Sequence, residues 1–367
     1  MIPVLRRRSS VIRALSEEID APLAAIEYAR RLAQRGISMG TLLRAYRIGQ
    51  TASVHRLLQE IGRRTDDPEL LSAAAIRINE RSSVHIDRVS QQVTAAYEHE
   101  RDQWAHSRMA ARVAQTAELL AKADTDIDVA ERVLGYRLRR SHIGVMAWID
   151  GDGGRPVDGN PINLERTVVD LAARLECPAR PLCVLHDETT LWAWLPWDDR
   201  MLFDSELVGR AVRSAGAKVQ LAVGDPAGGV DGFRLTHQQA SAAHLVASTA
   251  DVGHREWVTF YSDVGAVALL CVDLESARSW LESVLGGLAV DTPTNARLRE
   301  SLRIFLAAGG GFAAAAQQLA IHRNTVQYRL RQAEQVRGRP VREGRLDLEL
   351  ALEVCRRLGG VVLASAQ

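Results

Sequence analysis

Two short helical patterns, Phe312 to Leu319 and Arg323 to Val336, meet across about three residues, and few arrangements other than a helix-turn-helix accept that spacing. Ala313 to Ala316 are all small, so the first helix can lie close on its partner. On the second, Val326, Leu330 and Ala333 recur at helical spacing and should face inward. That leaves His322, Arg323, Asn324, Thr325, Tyr328 and Arg331 on the outside. Arginine can hold a guanine edge with two donors, asparagine pairs with adenine, and a threonine methyl touches thymine. A docked helix of this kind inserts its N-terminal residues deepest, where most of these side chains stand. Arg297, Arg299, Arg303, Arg337, Arg339, Arg342 and Arg345 make the segment basic, and Arg329 and Arg331, on later turns, are placed for phosphate. Double-stranded DNA is the partner these features point to. The plain alternative is a basic helical hairpin that only packs on a neighbouring domain.

The wording of the segment goes further. Leu298-Arg299-Glu300-Ser301-Leu302, the Gly309 to Gly311 turn, Ala316-Gln317-Gln318-Leu319 and the run from His322 to Leu330 resemble the C-terminal helix-turn-helix of PucR/CdaR-type transcription regulators. Thr41 to Gly49 resembles the core of the N-terminal helical domain of many such regulators, related to co-antagonists of sigma-factor signalling. Ala222-Val223-Gly224-Asp225-Pro226, with Gly228, Gly232-Phe233 and Gln238-Gln239-Ala240, resembles their degenerate GGDEF-like middle domain. The resemblance implies an effector-responsive, DNA-binding transcription regulator that reads DNA through His322, Arg323, Asn324, Thr325, Tyr328, Arg329 and Arg331. An active diguanylate cyclase would carry a Gly-Gly-Asp/Glu-Glu-Phe turn, whereas here Gly228-Gly229 runs into Val230-Asp231. No catalytic residue, cofactor or metal is therefore expected.

Composition narrows the classes. At 367 residues and 47% hydrophobic content the chain is long enough for two or three cores. Its formal net charge is only +1, so the basic C-terminal segment is a local feature and a general polyanion coat is excluded. Cys177, Cys183, Cys271 and Cys355 form no C-x-x-C pair and have no histidine at zinc-ligand spacing. Arg6-Arg7-Arg8 is not followed by an apolar stretch, and no run nears the ~18 apolar residues of a membrane span, so a cytoplasmic protein with reduced thiols and no membrane partner is expected.

The expected fold is multidomain, α and α/β, in three parts. Residues 1–135 read as a helical bundle for sensing or dimerisation, punctuated at Gly36 and Asp66-Asp67-Pro68. Glu69 to Leu134 lacks glycine and proline and can carry a helix of roughly fifty residues, far beyond the usual ~10 to 14. Val93, Tyr97, Trp104, Ala111 and Ala114 approximate a heptad seam on it, interrupted by Glu100 and Ser107. Residues 136–290 read as the GGDEF-like α/β domain, with strands at Ile143–Ile149, Pro181–Leu185, Thr190–Leu195, Lys218–Val223, Trp257–Tyr261 and Val267–Val272. Helices are expected there near Leu164–Leu175, Leu202–Ala215 and Phe233–Ala250. Residues 291–367 form the all-α helix-turn-helix domain, closed by an amphipathic helix from Asp347 to Leu358.

Other constellations read as structure. Trp192 and Trp194 share a strand face, with Trp148 and Trp197 in reach, more as a sheet under helices than as a ligand box. Cys183, His186 and Asp187 diverge in direction along one strand, and His99 and His106 lie on a solvated helix. One short reading helix touches few base pairs, so a homodimer or higher homo-oligomer is implied. A signalling scaffold acting through the helical domain, and a nucleotide cyclase carrying a helix-turn-helix, are the alternative functions. Effector, operator and sign of regulation are not encoded legibly.

Overall fold

A computed structural model describes residues 20–121, 125–149, 161–198, 200, 203, 205–214 and 219–365, so the Arg6 to Arg8 run and Lys218 lie outside the described residues. The chain forms two compact units, Met1–Ala111 and Arg112–Gln367.

In the first unit, α1 (Leu23–Gln34) ends at Gly36, whose φ of 67° suits a residue without a side chain. Ser38 then caps α2 (Met39–Gly62) by accepting from the Gly40 amide. After the Asp66-Asp67 turn, α3 runs from Pro68 to Ala121, 54 residues in one helix. A small core joins Ala29, Leu32 and Ala33 of α1 to Leu42 of α2 and to Val89, Val93 and Tyr97 of α3. The Tyr97 hydroxyl donates to the Ile37 carbonyl at 3.0 Å. Val93 and Tyr97, on the seam expected for a helical bundle or a short dimeric coil, are thus packed within their own unit, where α1 covers that face. Trp104, Ala111 and Ala114 remain exposed, and every residue of α3 from Arg101 to Ala111 faces solvent.

The second unit begins with the last turns of α3 and continues with α4 (Ile127–Leu134), whose Asp126 cap accepts from the Asp128 and Val129 amides. A βαββαβ arrangement follows: β1 (Ser141–Trp148), α5 (Pro161–Arg174), β2 (Leu182–Leu185), β3 (Thr190–Trp197), α6 (Ser205–Ser214) and β4 (Gln220–Val223). The strands lie in the order β2-β3-β1-β4, antiparallel throughout. Beyond β4 the sheet gains β6 (Val258–Phe260) in parallel, and the short β5 (Ala227–Gly228) pairs with β1.

Every residue of β1 is buried, which is why from Ile143 onward it reads as an apolar run and not as an alternation. Its two faces still separate. Ile143, Val145 and Ala147 pack with Leu164, Val168 and Val208 under α5 and α6. Met146 and Trp148 face α7 (Gly229–Thr249). Trp192 and Trp194 lie on that same α7 face, whereas Trp197 packs on the opposite one. The Gly224 stretch serves packing. A Cβ on Gly144 would come 2.5 Å from the Thr236 carbonyl, so β1 and β4 need glycine where α7 crosses them.

One expected strand is a helix. Val267–Val272 belongs mostly to α8 (Tyr261–Cys271), where Val264, Val267, Ala268 and Cys271 are buried at helical spacing while Leu269 and Val272 are bare. A short apolar run does not distinguish a strand from a half-buried helix by periodicity alone. After α9 (Leu274–Leu285) come β7 (Val290–Asp291) and four helices: α10 (Pro293–Ala307), α11 (Phe312–Leu319), α12 (Arg323–Arg337) and α13 (Arg345–Leu358). The segment β8 (Ala364–Ser365) returns to pair with β7. One continuous core runs from Met146 and Ala222 through α7, α8 and α9 to Val326, Leu330, Leu348 and Leu352.

Candidate nucleic-acid interface

The local chemistry of each element accounts for how the reading helix is held. Thr292 caps α10, and Pro293 sits in its first turn, where a missing N–H does no harm. Gly309 and Gly310, with φ of 66° and 83°, turn the chain into α11. Phe305 and Phe312 meet across this turn with ring centroids 4.8 Å apart. Ala320 ends α11 in the left-handed region at φ 52°, an arrangement that costs roughly 1 to 2 kcal/mol without glycine. His322 then caps α12 through its ring nitrogen, which accepts from the Asn324 amide at 3.2 Å. Val326, Leu330 and Ala333 are buried against Ala315 and Ala316, as their spacing requires.

Asn324, Tyr328, Arg331 and Gln335 form the exposed stripe of α12, at i, i+4, i+7 and i+11. Arg323 stands exposed beside its N-terminal end, His322 is exposed at the cap, and Thr325 is half-buried. Tyr328 is 61% exposed, unusual for so large a ring. Gln332 and Gln335 lie beyond the first turns that carry the DNA-reading residue types, and the spacing of the exposed stripe continued past Arg331 reaches Gln335. The half-buried Arg329 points back, donating to the Ser301 hydroxyl of α10 at 3.2 Å.

The basic character of the segment is largely consumed within the protein. Arg337 is buried, and its guanidinium donates to the carbonyls of Val284, Pro340 and Glu343 at 2.9, 2.9 and 3.0 Å. Arg299 is buried on the Leu288 and Val290 carbonyls. Arg303 is paired with Glu300, Arg345 with Glu349, and Arg339 and Arg297 with main-chain carbonyls. Among the described residues, Arg323, Arg331 and Arg342 have no partner, and all three are exposed.

Elsewhere the candidate chemistry is absorbed by packing. Cys183 points into the α5 side of the sheet with its thiol pushed up to about 12 by burial, while His186 lies over Trp192 at 4.2 Å, so the two do not meet. Burial likewise lifts the Cys177, Cys271 and Cys355 thiols to about 11, which leaves them poor nucleophiles. Trp194 is fully buried, stacked at 4.1 Å on Phe233, and its indole N–H donates to the Phe233 carbonyl. His99 and His106 are exposed on α3. Among the described residues no three His, Cys, Asp or Glu side chains converge to hold a metal, and no helix is long and apolar enough to cross a membrane.

Known families align with these parts. Residues 298–354 match the PucR C-terminal helix-turn-helix domain, residues 120–246 the GGDEF-like domain, and residues 5–112 the N-terminal domain of the RsbT co-antagonist protein rsbRD. No curated protein sequence matches the chain. Among solved structures, a regulator of polyketide synthase expression from Bifidobacterium adolescentis is similar at 18% identity over 66% of this chain and 91% of its own, with a TM-score of 0.32. In chain order, an RsbRD-type N-terminal domain, a GGDEF-like domain and a PucR-type C-terminal helix-turn-helix, the last built from α10 to α13, therefore follow one another.

Proposed function

We propose that this protein is an effector-responsive transcription regulator that binds double-stranded DNA as a homodimer, with α12 as its reading helix. The observation that carries the reading is the outward stripe of Asn324, Tyr328 and Arg331 beside the free Arg323, on a helix whose inner face is fully committed to the core. Arg323, Asn324, Thr325 and Tyr328 stand where base edges are reached, with His322 at the cap. Arg331 serves a phosphate, and Arg329 reaches one only by leaving Ser301. The labour divides over residues 1–135 for sensing and association, 136–290 for a GGDEF-like domain that regulates without catalysis, and 291–367 for DNA, in the cytoplasm.

Footprinting and gel shifts of the full chain on its own promoter test this. Arg323→Ala should weaken the cognate site by about 1 to 3 kcal/mol and relax preference at one base position. Arg331→Ala should weaken all sequences alike and lower the salt slope by roughly one unit. If neither change alters the footprint or its salt dependence, α12 does not read DNA. Manganese-dependent turnover of GTP would overturn the non-catalytic role of the middle domain.

A further inference from the structure

Tyr328 and Gln332 lie one helical turn apart on α12, and the Gln332 side-chain amide donates to the Tyr328 phenol oxygen at 2.8 Å. That bond occupies the oxygen as an acceptor and leaves the phenol's own O–H free to donate away from the helix. Gln332 is half-buried, and the Tyr328 ring, 61% exposed, would swing without this i, i+4 bond to it. Resting on the DNA-reading role of α12, we propose that Tyr328 and Gln332 act as one recognition unit, with Gln332 positioning the phenol as a donor to an acceptor on a base edge.

The acceptors within such reach in the major groove are guanine O6 and N7, adenine N7 and thymine O4. Phosphate oxygens share the same acceptor chemistry but carry no sequence information. Replacing Gln332 by glutamate reverses the pair. The phenol then donates inward to the carboxylate, and the outward donor is lost although the ring stays in place.

The experiment uses the full chain and a set of promoter fragments, each with one base pair of the protected site changed, scored by gel shift against the unmodified fragment. Tyr328→Phe, Gln332→Met and the double variant are compared, with thermal melting to show that each folds. The unit predicts that both single changes lose discrimination at the same base pair, by roughly tenfold, and that the double change is no worse than either. Gln332→Glu should lose that discrimination too, its added charge weakening all fragments equally and so cancelling from the ratio. Additive losses, or losses at two different base pairs, overturn the coupling. Equal weakening on every fragment by Tyr328→Phe assigns the phenol to a phosphate and overturns base reading by the pair. If these variants bind as the parent does while Arg323→Ala still loses affinity, the inference falls and the reading helix stands; if Arg323→Ala is silent as well, the DNA-reading role falls with it.

Discussion

At the scale of single residues, burial decides which polar groups are structural and which are free. Arg337 belongs to α12 by sequence and looks like one more basic residue, yet it bridges α9 and the loop after α12 through three carbonyls. Arg337→Ala should leave those carbonyls unsatisfied and lower stability by about 2 to 4 kcal/mol in a urea titration, with Arg337→Lys a poor substitute because an ammonium lacks the planar fork. His142 and His237 are the titrating counterparts. Burial pulls each down to about 4, with His186 adding to the effect on His237. Their folded forms refuse protons that the unfolded chain accepts, so the stability they contribute is complete above about pH 6.5 and is lost as pH falls from there toward about 4. The urea midpoint should decline across that window, and His237→Phe, which keeps a ring against Trp192 and Trp194, should roughly halve the slope.

At the scale of elements, the crossing of α7 over the sheet depends on glycine. Gly144 donates its amide to the Thr236 hydroxyl at 2.6 Å, and its missing side chain makes room for the Thr236 carbonyl. Gly144→Ala should therefore cost about 1 to 3 kcal/mol as an overpacked contact. Gly49, inside α2 with nothing within 4 Å of a Cβ, is the contrast: Gly49→Ala should stabilise by roughly 0.5 to 1 kcal/mol, because only the helix propensity changes. Thermal melts of the two variants should move in opposite directions. α3 differs from α7 in having no cover at all between Arg101 and Ala111, and local opening is expected to be easiest there.

At the scale of the whole molecule, apolar surface argues for association. Ile48 and Leu57 on α2, and Leu70, Ile76, Val84 and Trp104 on α3, are between 44% and 69% exposed. A monomer seldom leaves so many large apolar side chains in water on neighbouring elements. Light scattering at micromolar concentration should give at least twice the chain mass of 40.3 kDa. Ile76→Glu with Val84→Glu should shift the distribution toward monomer and weaken binding to a two-half-site operator more than to a single half-site. A clean monomer for the parent chain would count against the dimer.

Much of this architecture was legible in the amino-acid order, because local rules decide local structure. Absence of glycine and proline from Glu69 to Leu134 dictated a long helix, and the spacing of Val326, Leu330 and Ala333 identified the inner face of α12. Only tertiary structure could decide matters in which two distant segments compete for one surface. The run Val267–Val272 fits strand or helix until the sheet's edge is filled by β6. Val93 and Tyr97 fit a partner's seam until α1 covers them. The charge of an arginine is written in its identity, but whether that charge remains available to DNA depends on which carbonyls and carboxylates the fold brings within about 3 Å of it. Arg337 and Arg299 are committed in this way, whereas Arg323 and Arg331 find no partner among the described residues.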